Sequence, residues 1–325
     1  MRPHSRRLAA SPMLALSFAV SACAGAAPNS GPSNASAPAT SAAAAASTAS
    51  ASTGTDLVAD IDIGGRTLHL VCLGPTTAGE PTVVLESGLG APYSVWSQVL
   101  TAMQAKHRVC AYDRAGLGAS PPAPEASRTA ADVVADLHTL LTKAGVAGPY
   151  LMVGHSFAAW PIAVYAKAHP DDVAGAVFID PRGPKVSRDW LAALPAASAS
   201  EAPAVAANRD ELGAFEHDPS MNDEHLDLTA SSDEAVAALD APGPLFGDHP
   251  VVVLGAANTH TNWADLPPAI AASFDTIWLD GQKALAAEST AGSFAVVPDS
   301  DHEIQADQPA TVVKTIESVL AGLGS

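Results

Sequence analysis

The run Tyr150-Leu151-Met152-Val153-Gly154-His155-Ser156-Phe157-Ala158 decides how this chain is read. Its first four residues are apolar, and residues 157–168 continue with helical spacing, so Ser156 stands where a buried strand hands over to a helix. A serine on such a sharp turn exposes its hydroxyl at the edge of a sheet and reads as a nucleophile. The turn crowds the backbone, so the residues two before and two after the serine must be small. Gly154 satisfies this, and Ala158 exceeds glycine by one methyl. The competing reading makes Ser156 merely the cap of the following helix.

A serine hydroxyl is a poor nucleophile until a base takes its proton. Among the histidines after Ser156, His302 fits best. It lies just past a strand expected over 294–297, in Asp299-Ser300-Asp301-His302-Glu303, ahead of a closing helix over 310–320. His169, His217, His225, His249 and His260 read as solvated. Acyl transfer also needs two backbone N–H groups aimed at the developing oxyanion. Phe157, next to the serine, should supply one. Leu89, in the turn Ser87-Gly88-Leu89-Gly90 after the strand 82–85, should supply the other.

Further out, 56–63, Gly64-Gly65 and 66–73 read as a hairpin. Strands over 108–112, 176–179 and 251–254 and a helix over 129–144 complete an alternation that implies a mostly parallel sheet covered by helices on both faces. Residues 182–249 break the pattern. From Ser200 to Asp248 that stretch sets twelve acids against Arg209 alone, and it reads as a helical lid insertion at about 183–248. Trp160, Trp190 and Phe215 are candidates either for lining a pocket or for core.

The N-terminus stands apart. Arg2, Arg6 and Arg7 precede a short apolar stretch too brief to span a membrane, so residues 1–22 read as an export signal. Residues 23–55 are Ala, Ser, Thr, Pro and Gly with almost nothing else and cannot bury a core, so disorder is expected. The net charge of −18 repels phosphate backbones and argues against a nucleic-acid partner. Dinucleotide, Walker and zinc-protease patterns do not occur, so neither cofactor nor metal is implied. Cys72 and Cys110 have no second ligand beside them and read as buried thiols or a disulfide.

From about residue 68 to 320 the chain resembles the alpha/beta-hydrolase family. The run 83–90, the run Cys110-Ala111-Tyr112-Asp113-Arg114-Ala115-Gly116-Leu117-Gly118, the turn at Ser156 and the run 301–309 occur in that family's order. The resemblance implies an alpha/beta-hydrolase fold over 56–325 and hydrolysis of a small-molecule carboxylic ester, with an amide or thioester less expected. Serine at 156 argues against the dehalogenase and epoxide-hydrolase branches, which carry aspartate there. A non-catalytic binding module on the same fold is the alternative. The family's strand order makes the cysteine-bearing strands neighbours and implies a Cys72–Cys110 disulfide. It also implies a third, acidic member behind His302. Most relatives carry it after the strand that here is 251–254, where Asn258 is neutral and Asp265 lies further along. A minority carry it where Asp180 stands, and Asp180 is preferred, with a simple turn before Pro181 as the competing reading. Separately, Val20-Ser21-Ala22-Cys23 resembles the lipobox of bacterial lipoproteins. That implies a lipid on Cys23 and a membrane-anchored, exported protein, against ordinary cleavage nearby.

Overall fold

A computed structural model describes residues 56–258 and 265–324. The expected signal segment 1–22, the linker 23–55 and Cys23 lie outside the described residues. The described elements belong to one compact unit, Ala49–Ser325.

Eight strands form one sheet, in the order β1-β2-β4-β3-β5-β6-β7-β8. They are β1 (Leu57–Asp62), β2 (Thr67–Leu73), β3 (Thr82–Glu86), β4 (Val109–Tyr112), β5 (Tyr150–His155), β6 (Val173–Ile179), β7 (Val251–Ala256) and β8 (Gly292–Val297). β1 and β2 are a hairpin whose turn needs left-handed backbone at Gly64 (φ 100°) and Gly65 (φ 93°), as two adjacent glycines allow. β2 also runs antiparallel to β4, and every pairing from β4 onward is parallel.

Side chains alternate across each strand and fill two layers. Val83, Leu85, Leu151, Val153, Val177 and Ile179 face one side, where α1 (Ser97–Met103) and α9 (Pro309–Leu323) cover them. Val84, Met152 and Phe178 face the other, under α2 (Ala130–Lys143) and α3 (Ala159–Ala168). α2 begins in a capping box, Thr129 and Asp132 satisfying each other's backbone N–H groups.

The stretch expected as an insertion folds into α4 (Val186–Ala193), α5 (Pro203–His217) and α6 (Leu228–Leu239). α6 packs on α2 and α3, α5 bridges α4 and α6, and α4 packs on α7 (Pro268–Ala286). α7, the crossover between β7 and β8, was not expected from sequence. Its inward seam of Phe274, Trp278, Gln282 and Leu285 has helical spacing, but the glutamine interrupts the apolar stripe. A short helix, α8 (Ile304–Asp307), precedes α9.

Candidate active site

Strand register fixes what meets at the C-terminal edge of the sheet. Glu86 of β3 pairs with Gly154 of β5, and Gly154 pairs with Phe178 of β6. Two residues past each partner lie Gly88, Ser156 and Asp180. Adjacent strands are only ~4.8 Å apart, so the glycine turn, the serine and the acid share one edge.

Ser156 opens a short 3-10 turn, Ser156–Ala158, that runs into α3, and its φ of 54° is left-handed. A non-glycine residue there is strained, and the strain lifts its side chain clear of the strand. A Cβ on Gly154 would come within 3.0 Å of the Ala158 Cβ and 2.5 Å of the Ile162 Cδ1. The Ala158 methyl is therefore accommodated because position 154 has no side chain.

His302 Nε2 lies 2.9 Å from Ser156 Oγ, and His302 Nδ1 lies 2.7 Å from Asp180 Oδ2. Asp180 is fully buried, with φ 39°. Its other oxygen accepts the Ala256 N–H at 2.9 Å, Gln282 Nε2 at 2.7 Å and Trp278 Nε1 at 3.3 Å. Burial pushes the Asp180 carboxyl up, but the hydrogen bond and charge of His302 and the Ala256 and Gln282 donors outweigh it and hold the group below its ordinary range. Trp278 also stands edge-on to His302, centroids 5.7 Å apart. Asp265, the rival acid, is exposed.

Neighbouring His155 is buried, and its Nε2–H donates to the His302 carbonyl at 3.0 Å. Burial first, then the charge of His302, pushes its pKa down to about 3. A Cβ on Gly88 would meet the His155 ring at 2.7 Å, so the glycine turn approaches the serine this closely only as glycine. Phe157 N–H stands in the first turn of its helix, where no intrahelical carbonyl can accept it. Among the described residues, the Leu89 N–H likewise makes no hydrogen bond.

The sequence reading missed several contributors: Trp278 and Gln282 on α7, and Glu86, Arg114 and Glu224 beneath the glycine turn. The α7 spacing was a usable signal; nothing local links Arg114 to Glu224. Trp160 and Trp190 are core. Trp160 is buried and donates to the Arg182 carbonyl at 2.8 Å, and Trp190 stacks on Phe274 and Trp278. Phe215 is half-buried against the main core. A cleft of about 400 Å³ between α4, α6 and α7 is lined by Val186, Leu239, Ile277 and Leu285, and the Ser156, His302 and Asp180 side chains do not reach it.

Cys72 and Cys110 form a disulfide directly across the β2–β4 pairing. Among the described residues, His138, His169 and Asp172 offer ligand atoms within 4.8 Å of one another. Their two imidazoles, however, stack at 3.9 Å and 3°. A coordinated metal lies close to the plane of each ligating ring, at ~2.0–2.1 Å, and parallel stacked rings cannot both meet that condition.

Solved structures with this architecture include a thermophilic esterase from Thermogutta terrifontis. It is 19% identical, covers 84% of this chain and 100% of its own, and has a TM-score of 0.56. A haloalkane dehalogenase variant from Bradyrhizobium elkanii is as close in fold, with 17% identity, 83% and 97% coverage and a TM-score of 0.54. At those identities the likeness concerns the fold alone. A curated protein described as a probable transporter, efuK of Hormonema carpetanum, is 37% identical over 124 residues, which is 37% of this chain and 18% of that protein. The chain spans less than two fifths of the length of the first curated relatives it matches. The model of the Alpha/beta hydrolase family, by contrast, matches residues 83–315, most of the chain, and to that family the chain belongs.

Proposed function

We propose that this hydrolase cleaves a carboxylic ester of a small molecule through an acyl-enzyme on Ser156. The observation that carries the reading is the unbroken relay from Ser156 Oγ through His302 to the buried Asp180. His302 Nε2 takes the hydroxyl proton as Oγ attacks the ester carbon. Nδ1–H remains bonded to Asp180, whose charge stabilises the imidazolium and fixes the tautomer. The N–H groups of Phe157 and Leu89 receive the oxyanion. The imidazolium then protonates the departing alcohol, and a water activated by the same histidine releases the acid. Residues 183–248 serve as the lid of this site.

A fluorophosphonate probe should label the wild-type protein at Ser156, and Ser156→Ala should abolish both labelling and turnover. Losing a nucleophile of this kind costs up to ~10⁶ in turnover. A folded wild-type protein that does not label, or a Ser156→Ala variant retaining more than about a hundredth of the activity, would sink the reading.

We also propose that Cys23 carries a lipid that holds the exported protein to the outer face of the cytoplasmic membrane. The lipobox-like Val20-Ser21-Ala22-Cys23 supports this, and the Cys72–Cys110 disulfide suits an oxidising compartment. Cys23→Ser should leave the protein unprocessed or release it from membranes. A processed variant that still sediments with membranes would refute the anchor.

A further inference from the structure

Glu224 lies in the loop between α5 and α6, yet its carboxylate sits beneath the glycine turn after β3. Arg114, just past β4, joins the two. Its Nε and Nη2 donate to Glu224 at 2.5 and 2.9 Å, its Nη1 to Glu86 and the Ser87 carbonyl at 2.6 Å each, and its Nη2 to the Gly88 carbonyl at 2.6 Å. A guanidinium has five N–H donors, and all five are used. The Gly90 N–H closes the loop on Glu224 at 2.8 Å, and Tyr112 holds the second Glu86 oxygen at 2.7 Å. Arg114, Glu86 and Glu224 are each at most 3% exposed.

The peptide between Gly88 and Leu89 is planar, so its C=O and N–H point in opposite directions. Arg114 draws the Gly88 carbonyl down to itself. The Leu89 N–H must then point away from Arg114. Fixed contacts at Ser87 and Gly90 stop the turn from rotating about either side. We infer that Arg114 and Glu224 are positioning residues that aim the Leu89 N–H for the oxyanion, and that the 183–248 segment, by supplying Glu224, completes the oxyanion site. This rests on the proposed acyl-transfer function.

The segment is seated for the task. The backbone just after Glu224 is pinned to Arg128, whose N–H bonds the His225 carbonyl and whose carbonyl accepts the Asp227 N–H, both at 2.8 Å. A Cβ on Gly116 would strike the Asp223 carbonyl at 2.4 Å, so the segment lies directly against the turn after β4. Mis-seating it removes an acceptor from Arg114 and from Gly90 together.

The test compares three variants of the full-length protein, with folding followed by near-ultraviolet circular dichroism. Glu224→Ala unpairs the turn and leaves Arg114 short of acceptors. Glu224→Gln keeps one acceptor oxygen but turns its amide N–H₂ against Arg114 or Gly90. The triple variant Arg114→Met, Glu224→Leu and Glu86→Gln removes all three charges at similar volume and spares the fold an orphaned ion. Removing one oxyanion donor elsewhere costs ~10²–10³ in turnover. A kcat loss of that order is expected for Glu224→Ala and the triple variant, and about tenfold for Glu224→Gln. KM should move less than about threefold, because the ester ground state does not need the oxyanion donor. Affinity for an arylboronate, whose tetrahedral adduct on Ser156 does need it, should fall in step with kcat. A merely structural role would not split the two. Folded variants with kcat and boronate affinity within threefold of wild type would overturn the inference, as would failure of all three to fold. Absence of fluorophosphonate labelling in the wild type strikes the proposed function instead.

Discussion

Asp180 Oδ2 meets His302 Nδ1 at 2.7 Å, while Asp180 Oδ1 takes the Ala256 N–H at the end of the next strand, β7. The carboxylate just past β6 thus bridges the imidazole and the end of β7. Ala256 and Gln282 donate to Oδ1 and the imidazole to Oδ2. An amide at this position must turn its N–H₂ against a donor on one side or the other. Asp180→Asn is therefore expected to cost ~10⁴ in turnover, the size of the same swap in a serine-protease triad, by favouring the wrong imidazole tautomer. Asp265→Asn should be close to neutral. Steady-state rates of the two variants decide the matter, and a large loss confined to Asp265→Asn would move the acid to the later loop.

His155 makes acid stability testable. Only a nitrogen bearing hydrogen can bond the His302 carbonyl, so Nε2 carries one; Nδ1 is buried with no partner for a second proton, and burial keeps the ring neutral. Its folded pKa of about 3 lies below an unfolded value of about 6.5. Between those limits the unfolded chain binds a proton that the folded chain does not. Stability therefore rises with pH across the window and is lost on acidification, by up to about 1.4 kcal/mol per pH unit. His155→Gln can still donate to the carbonyl but cannot titrate. Urea midpoints measured from pH 6.5 to 4 should fall less steeply in the variant; an unchanged slope would contradict the buried neutral imidazole.

What the sequence revealed, and what it hid, follows from locality. The turn at Ser156 was legible because a continuous apolar strand and a helix meet at one residue, a signal contained in about twenty positions. Asp180 was readable for a weaker reason: the β7 loop offered a neutral Asn258 where an acid is usual. Arg114 and Glu224 are 110 residues apart, and their pairing leaves no local trace. Glu224 and Glu216 are two of the twelve acids of 200–248, and nothing in that composition sets them apart, yet both are buried against arginines. Trp278 and Gln282 were missed with α7, because a polar residue in the helix seam serves Asp180 rather than the core.

Arg182 ties the other end of the 183–248 segment to the nucleophile. Its N–H bonds the Ser156 carbonyl at 3.0 Å, and its buried Nη2 donates to Glu216 of α5 at 2.5 Å and to the Ser187 hydroxyl. Glu216→Ala would strand a buried cation, a loss that costs ~3–5 kcal/mol. Arg182→Met with Glu216→Leu removes both charges and should recover most of that stability. Urea denaturation of the three proteins distinguishes a needed ion pair from a tolerated one. A Glu216→Ala variant within about 1 kcal/mol of wild type would mean that the pair does not anchor α5.

The disulfide gives the last prediction. Cys72 and Cys110 are register partners on antiparallel β2 and β4, and both side chains are fully buried. The bridge closes a loop with a sequence separation of 38, which restricts the unfolded chain far more than the folded one. Loop-closure entropy for that length is worth about 3–4 kcal/mol. Replacing both cysteines by alanine should lower stability by at least that much, since two buried sulfurs are also lost from a packed layer. Burial adds a kinetic signature. A thiolate reductant must reach a sulfur along the bond axis, and the bridged pair lies in the packed layer under α2 and α3. Reduction should therefore be slow in buffer and accelerate sharply in urea, following unfolding rather than reductant concentration. Thiol titration of denatured protein purified from an oxidising compartment gives the direct check. A count of two reactive thiols before reduction would refute the bridge, and reduction in buffer at a rate set by reductant concentration would refute its burial.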